Sequence, residues 1–226
     1  MENKYNKTLK IVIIVVGILV VVLFIALGIS IYKKYYATQD QAQASENADD
    51  YLSKRRRTTN DIDGLNVDTE SQTSSSSLKR QTYKGFTLAG YIEIPSISLN
   101  PAKMPILERY SSAGLEASPC IVFGPGLNIV GNTVVEGHNY RDGTHLSNIS
   151  NIKSGDAIYV TDLYNGGARI KYEVYNMYET AAEDKEQVQR TETLGKREIT
   201  LSTCYGDTND SRTIIMAKEA EEQPTE

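Results

Sequence analysis

An uninterrupted apolar run near the N-terminus constrains this chain more than any other feature of its sequence. The run extends from Ile11 to Ile31 and contains no charged residue. At about 1.5 Å per residue, a helix of this length covers the roughly 30 Å hydrocarbon core of a bilayer. We therefore predict a membrane-spanning helix over residues 11–32. A cleaved signal peptide is the alternative, because Ala-Gln-Ala at 42–44 resembles a cleavage site.

The residues on either side of the run favour a membrane anchor. The run is longer than the apolar region of a typical signal peptide, and two lysines at 33–34 separate it from the possible cleavage site. Three lysines precede the run and two follow it, which is a slight bias toward a cytoplasmic N-terminus. We therefore expect a single-pass protein of the cell membrane, with residues 1–10 in the cytoplasm and the large polar remainder outside the cell.

The composition changes twice after the apolar run. From Ala37 to Arg80 the sequence is rich in Gln, Ser, Thr, Asn and Asp, and contains no Phe, Met or Cys. Such a segment cannot bury enough apolar surface to offset its ordering entropy. We predict an extracellular stalk over residues 33–81, helical in part near 40–57. A domain over residues 82–220 and a short tail over 221–226 follow it.

Short β-type runs separated by turn residues make up the chain from Thr82 onward. The candidate strands are GYIEI, CIVF, NTVVE, AIYVT, ARIKYEVYNMY, EITLST and RTIIMA. Helical pattern is limited to THLSNIS and EDKEQVQR. This order predicts a mainly β domain, a closed or nearly closed antiparallel barrel of about seven to eight strands with short helices.

Charge and ligand patterns exclude several classes of function. The net charge of the chain is −5, which makes nucleic acid an unfavourable partner. The sequence has no Cys-x-x-Cys pair, no His-Glu-x-x-His and no acidic loop with the spacing of calcium ligands. We therefore predict no metal site and no cofactor.

One of the two cysteines lies at the end of a candidate strand. The runs EITLST and RTIIMA flank the polar loop CYGDTNDS, which suits a hairpin and would place Cys204 beside Arg212 at one rim of the barrel. A nearby guanidinium favours the thiolate, which attacks carbonyl carbon, and can also stabilise an oxyanion. The pair indicates a nucleophilic site. A surface arginine beside an unreactive thiol is the alternative interpretation.

The two histidines and the second cysteine receive different interpretations. His138 directly follows a Val-rich strand, so it can reach the rim of a neighbouring strand and exchange protons there. His145 lies seven residues later in a possible helical turn, and we interpret it as a packing or capping residue. Cys120 opens the run CIVF and is interpreted as a small buried strand residue.

These motifs together resemble those of the sortase family. TLSTC at 200–204 is followed by Arg212 and preceded by EGHN at 136–139, and GYIEIPSISLNPAKMPI is similar to the first strands of sortases. The resemblance covers roughly residues 86–218. It implies a sortase-like β-barrel in which Cys204 is the nucleophile, His138 the general acid/base and Arg212 the group that stabilises the oxyanion. Thr203 of the same motif would line the substrate cleft.

The resemblance also implies an activity and its partners. Sortases are thiol transpeptidases that cleave an LPxTG-like sorting signal near the C-terminus of a secreted protein and form a thioester. An amine then resolves the thioester. The expected partners are secreted proteins with such a signal and a peptidoglycan precursor, or another amine acceptor.

Three alternatives to this activity stay open. A cysteine hydrolase would use water instead of an amine, a pilin-polymerising sortase would use a pilin lysine, and a non-catalytic β domain would use neither. TLSTC and GHNYRDGT are most similar to class B sortases, although Glu179 to Thr200 is shorter than the helical insertion usual in that class. Residues 37–85 contain no Asp-Pro-aromatic lid of the pilin-polymerising type.

Overall fold

The computed structural model describes residues 2–63, 80–165, 167–186, 190–205 and 210–223. The chain divides into two compact units, Met1–Asp40 and Gln41–Glu226. The first helix, α1, spans Glu2–Asp63 and contributes to both units. Within the described residues, one helical stretch, Leu9–Lys54, is long and apolar enough to cross a membrane, although a signal sequence meets the same criteria.

In the described residues after α1 there are nine strands, one short helix and one 3-10 turn. The strands are β1 (Thr82–Tyr83), β2 (Phe86–Glu93), β3 (Met104–Leu107), β4 (Cys120–Phe123), β5 (Gly131–Glu136), β6 (Ala157–Asp162), β7 (Arg169–Ala181), β8 (Arg197–Cys204) and β9 (Ser211–Glu219). Helix α2 (Ser112–Ala117) lies between β3 and β4, and the 3-10 turn (Ile149–Asn151) lies between β5 and β6.

Eight of these strands close into a barrel. Their order is β2-β3-β4-β5-β8-β9-β7-β6, and β6 pairs back with β2, while the two-residue β1 extends the sheet beside β2. The closing pair requires a glycine, because a Cβ atom at Gly90 would collide with the carbonyl oxygen of Thr161. The prediction of a closed β-barrel of seven to eight strands with short helices is confirmed.

The barrel is not wholly antiparallel, which corrects one expectation. β3 pairs with β4 in parallel, and β5 pairs with β8 in parallel from Gly131↔Arg197 to Glu136↔Ser202. Strand patterns in a sequence show which residues alternate between faces but not which strands become neighbours. The β5–β8 pair matters for function, because the carboxyl ends of parallel strands meet at the same edge.

The barrel interior is filled by alternate side chains of the strands and of the connections between them. The buried core includes Ile92, Met104, Ile106, Val135, Leu146, Ile149, Ile158, Val160, Val174, Ile199, Leu201 and Ile215. These β-branched and aliphatic residues are typical of a half-buried pleated surface. Since a buried aliphatic side chain contributes about 1.5–3 kcal/mol, this core is the main source of barrel stability.

A second apolar cluster joins α1 to the outside of the barrel. Four residues of α1 are buried in it: Ala44, Ala48, Tyr51 and Leu52. Their partners include Leu88 and Tyr91 of β2, Leu107 of β3, Leu115 and Ala117 of α2, and Leu163 after β6. The spacing of four and three residues places the buried positions of α1 on one helical face.

Polar contacts accompany this apolar packing. Gln41 donates a side-chain hydrogen bond to the carbonyl oxygen of Ala117 at 2.9 Å, and Ser45 donates one to the carbonyl oxygen of Lys103 at 2.8 Å. The carboxylate of Asp49 accepts from Tyr91 and pairs with Lys103. The unit that contains the barrel therefore begins at Gln41, whereas the sequence placed the start of the domain at residue 82 and assigned 33–81 to a stalk. Residues 64–79 of that stalk lie outside the described part of the chain.

The predicted short helices differ from those of the structure. THLSNIS contributes only the 3-10 turn at Ile149–Asn151, and the described residues of EDKEQVQR contain no helix, with 187–189 outside the description. Helix α2 was not predicted. Its first turn is capped by Ser111, whose hydroxyl accepts from the backbone N–H of Gly114 at 2.9 Å.

Candidate active site

The parallel pair β5–β8 brings the histidine loop next to the cysteine. Glu136 and Ser202 are the last partners in the ladder, and the N–H of Gly137 still donates to the carbonyl oxygen of Ser202 at 3.1 Å. Because neighbouring strands lie about 4.8 Å apart, the next residues along each strand continue side by side. His138 therefore leaves β5 beside the end of β8, where Cys204 lies.

The hairpin between β8 and β9 brings the arginine to the same rim. Cys204 and Arg212 are direct partners in the antiparallel register, which confirms the hairpin predicted from the sequence. Cys204 is a free thiol and is partly exposed. The three residues that the sequence singled out thus lie at one edge of the barrel, Cys204 and Arg212 by strand pairing and His138 because it follows the end of β5.

Two side-chain hydrogen bonds tie the histidine loop to the cysteine strand beyond the ladder. Asn139 donates through Nδ2 to the carbonyl oxygen of Cys204 at 2.9 Å, and its Oδ1 accepts from the N–H of Arg141. Thr203 donates through Oγ1 to the carbonyl oxygen of Gly137 at 2.8 Å. The two bonds run in opposite directions between the chain segments, so they hold the segments in register where the backbone ladder ends.

These bonds give Thr203 a different position from the one predicted. Its side chain is buried and bound to the backbone of Gly137, and the neighbouring Ser202 lines the cleft instead. Alternation along a strand explains the difference, since successive side chains point to opposite faces. Asn139 was not predicted from the sequence, although its position next to His138 in EGHN was a signal that could have found it.

The imidazole of His138 lies in a small polar network. Its Nε2 is 3.3 Å from Oε1 of Glu116, and the other oxygen of Glu116 accepts from the Tyr140 hydroxyl at 3.0 Å. The contact to Glu116 lacks hydrogen-bond alignment, so it is an ion pair only when the imidazole is protonated. Burial, followed by the bond to Glu116, raises the pKa of Tyr140, so its hydroxyl keeps its proton.

The second histidine lies behind this network. His145 is buried, and its ring is 5.0 Å from that of Tyr140 in an edge arrangement and 6.0 Å from that of His138. Burial, followed by the nearby His138, lowers the pKa of His145 to about 4, so it stays neutral at physiological pH. It packs against the site without reaching its surface, in agreement with a structural role.

The second cysteine is fully buried and remote from solvent. Cys120 opens β4, packs in the apolar cluster with Leu107, and approaches the carbonyl oxygen of Ser118 at 3.3 Å. Burial raises the pKa of its thiol to about 11. Cys120 therefore remains a protonated packing residue, while Cys204 is the thiol exposed to a substrate.

A cleft of about 340 Å³ contains Arg212 of this rim. It is lined by Tyr110, Val122, Val134, Glu136, Ala182, Asp184, Lys185, Ser202, Arg212 and Ile214. A larger groove of about 580 Å³ lies beside it and shares Tyr110 and Val122. We take the smaller cleft as the candidate substrate site, because it contains Arg212, the register partner of Cys204, and Ser202 of the strand that ends at Cys204.

The arrangement can perform acyl transfer through a thioester. It offers an accessible thiol, an imidazole to exchange protons, and a guanidinium where an oxyanion would develop. Within the described residues, no group of three or more His, Cys, Asp or Glu side chains could hold a metal ion.

Comparison with known proteins identifies the family. The model of the sortase domain matches residues 92–220, which is more than half of the chain. This chain belongs to the sortase family. It is 28% identical over 207 residues to sortase A of Bacillus anthracis, an alignment that covers 89% of this chain and 92% of that protein. It is 29% identical over 219 residues to sortase A of Listeria monocytogenes, covering 96% and 91% respectively.

Solved sortase structures share the same fold. The crystal structure of sortase A from Listeria monocytogenes has a TM-score of 0.52 and 25% identity, and covers 61% of this chain and 91% of that one. Sortase C from Streptococcus pneumoniae has a TM-score of 0.56 at 21% identity, with coverage of 82% and 98%, and shows the fold alone. Both sortase A and sortase C are thus among the similar proteins, and the motif-based likeness to class B stays a prediction.

The position of Asn139 leads to a testable expectation for this sortase. Replacing Asn139 with alanine removes the bond to the Cys204 carbonyl, and we expect kcat/KM to fall about tenfold, because one such bond contributes about 1 kcal/mol and misplaced reacting groups add to the loss. KM should change less than kcat, since the bond positions the nucleophile and does not contact the substrate. Steady-state kinetics with a sorting-signal peptide measures both constants.

A matched control separates this effect from a general loss of stability. Asn148 also donates a side-chain hydrogen bond to a backbone carbonyl, that of Ser98 at 2.8 Å, but far from the thiol in sequence. The variant Asn148→Ala should lower the thermal midpoint by a similar amount and leave kcat within about twofold. Equal losses of kcat in the two variants would show that the hydrogen bond of Asn139 does not position Cys204 for catalysis.

Proposed function

We propose that Cys204 is the nucleophile of this sortase, His138 its general acid/base and Arg212 the group that stabilises the oxyanion. The convergence of the three residues at the β5–β8–β9 rim is the observation that supports these roles. Sortases are cysteine transpeptidases that act on surface proteins, so the chemistry to be explained is amide cleavage followed by amide formation.

The proposed reaction has two steps. The Cys204 thiolate attacks the carbonyl carbon of the residue before the cleaved bond, and Arg212 donates hydrogen bonds to the resulting oxyanion. His138 protonates the departing amine nitrogen, which leaves a thioester on Cys204. In the second step an incoming amine attacks the thioester carbon and gives up a proton to His138, so a new amide forms and the Cys204 thiolate is released.

We propose an LPxTG-like sorting signal at the C-terminus of a secreted protein as the substrate, and a peptidoglycan precursor or another amine as the acceptor. A peptide substrate is supported by the cleft, because the cleft contains Arg212 beside Cys204 and has apolar walls at Val122, Val134 and Ile214. An amine can outcompete water when it is held beside the thioester, since effective molarities of positioned groups are very large.

We also propose that residues 11–32 anchor the protein in the cell membrane, with residues 1–10 in the cytoplasm and the barrel outside the cell. The apolar stretch of α1 supports the anchor, as its side chains are exposed in a helix of sufficient length. An enzyme placed in this way meets secreted proteins where their C-terminal signals emerge. Protease accessibility of residues 82–220 in intact cells tests this orientation.

The function is tested with the full-length chain in detergent, an LPxTG-like peptide and a short oligoglycine as the amine. We expect the peptide to be cleaved before its glycine and the new product to carry the added amine, which mass spectrometry identifies. Acid as the sole product at saturating amine would instead identify a cysteine hydrolase. Absence of any cleavage across a panel of sorting signals would overturn the proposal.

A further inference from the structure

A carboxylate from α2 lies against the imidazole that the proposed reaction uses. Oε1 of Glu116 is 3.3 Å from Nε2 of His138, and this nitrogen is shielded from solvent. Oε2 of the same carboxylate accepts a hydrogen bond from the Tyr140 hydroxyl at 3.0 Å. The rings of Tyr140 and His138 are themselves neighbours, with centroids 5.0 Å apart. The carboxylate therefore bridges two side chains of the loop that follows β5.

The fold holds the backbone on both sides of this contact. In α2, the residues before and after the carboxylate, Leu115 and Ala117, are buried, and the carbonyl oxygen of Ala117 accepts a hydrogen bond from Gln41 of α1. In the histidine loop, the side chain of Asn139 is bound to the carbonyl oxygen of Cys204. The carboxylate and the imidazole are thus brought together by two anchored segments of the chain.

The other titratable groups around the imidazole do not give it a negative partner. Tyr140 keeps its proton, and His145 stays neutral at physiological pH. Asp142 accepts two hydrogen bonds within its own turn. Within the described residues, Glu116 is the carboxylate that pairs with His138.

The proposed reaction gives His138 a positive charge twice. In the first step the proton of the Cys204 thiol passes to the imidazole and then to the nitrogen of the departing amine. In the second step a proton of the incoming amine passes to the imidazole and then returns to the Cys204 thiolate. Each tetrahedral intermediate therefore forms beside an imidazolium, and a carboxylate at 3.3 Å favours that charged form.

We propose that Glu116 is a positioning residue that stabilises the imidazolium form of His138 and thereby raises the fraction of Cys204 present as thiolate. The inference rests on the proposed function, because it takes His138 as the group that holds the thiol proton. Since Nε2 faces Glu116, Nδ1 is the nitrogen left to exchange protons with the thiol and the amine. The effect is moderate, because the side chain of Glu116 is 68% exposed and solvent screens its charge.

The test measures the rate at which iodoacetamide alkylates Cys204 at neutral pH, in the full-length chain in detergent with Cys120 replaced by alanine. The thiolate is the form that reacts, so the rate reports how readily His138 holds the thiol proton. We expect Glu116→Gln to slow alkylation about fivefold, the upper end for a partly exposed ion pair, and to lower kcat similarly with little change in KM. Glu116→Asp keeps the charge and should recover part of the rate. Tyr140→Phe removes the hydroxyl that holds the carboxylate and should cause a smaller fall.

A loss of structure changes this rate in the opposite direction, since a loosened site exposes the thiol and speeds its alkylation. Glu173→Gln removes a carboxylate at an exposed position of β7 and is the matched control, which should keep the wild-type rate. In a His138→Ala background, Glu116→Gln should have no further effect, because no imidazolium is left to stabilise.

Equal or faster alkylation in Glu116→Gln, or a slower rate that persists without His138, would overturn the inference and leave the proposed function intact. Peptide turnover by His138→Ala tests the proposed function separately. Wild-type turnover in that variant would remove His138 from the mechanism, and the inference would fail with it.

Discussion

Cys204→Ala is expected to abolish peptide cleavage by the full-length chain, with a fall in kcat/KM of about three orders of magnitude or more. Removing a covalent nucleophile eliminates the thioester route, and the remaining residues can only polarise the amide for attack by water. The measurement is peptide turnover with product mass analysis. Intact-protein mass spectrometry adds a second readout, since the acyl adduct should form on the wild-type chain and be absent from the variant.

Cys120→Ala is the matched control for this experiment. Cys120 is buried with its thiol protonated, so its replacement should lower the thermal midpoint by a few degrees and leave turnover nearly unchanged. Wild-type turnover in Cys204→Ala would exclude the thioester mechanism. An acyl adduct on Cys120 would instead show that Cys120, and not Cys204, is the nucleophile.

Removing the barrel-bound part of α1 is expected to destabilise the protein by several kcal/mol. A chain of residues 82–226 lacks Tyr51 and Leu52, which are buried against β2, α2 and the turn after β6, and each such side chain contributes about 1.5–3 kcal/mol. It also leaves Lys103 without Asp49 and exposes the apolar cluster to water. Urea unfolding of residues 41–226 and 82–226, followed by tyrosine fluorescence, should show a clear drop in the midpoint for the shorter chain.

A pair of point variants tests the same packing without shortening the chain. Ala48 is 1% exposed in the cluster, and Ala48→Asp would bury an unpaired charge, which costs several kcal/mol or detaches the helix. Asn47 is exposed on the same turn, so Asn47→Asp should change the unfolding free energy by less than about 0.5 kcal/mol. Equal midpoints for the two variants would mean that α1 is not packed on the barrel in solution.

Local sequence patterns were sufficient to predict the hairpin that positions two of the three proposed catalytic residues. EITLST and RTIIMA are consecutive strands with a polar turn between them, and consecutive strands with short turns pair antiparallel. The register then places Cys204 opposite Arg212, as predicted. The position of Cys120 at the start of an apolar run was also enough to predict that its side chain is buried.

Contacts between distant segments of the chain could not be predicted from local sequence patterns. The alignment of β5 with β8 in parallel joins residues more than sixty positions apart, and nothing in either strand specifies that partner. The roles of Asn139 and Thr203 depend on this pairing, since each binds the backbone of the other segment. The packing face of α1 could not be predicted from the sequence either. Its four buried residues lie among many polar ones, and they form a packing surface only because β2 and α2 lie against them.

By itself, the sequence determined the β-rich domain, the apolar N-terminal segment, the cysteine–arginine hairpin and the family to which the chain belongs. These depend on residue type and short-range spacing, which act through backbone propensity and local turn chemistry. Only the tertiary structure decided the parallel contact between β5 and β8, the attachment of α1 from Gln41, and the contact of Glu116 with His138. These depend on which surfaces meet when the barrel closes, and that choice is made by the burial of the whole apolar core at once.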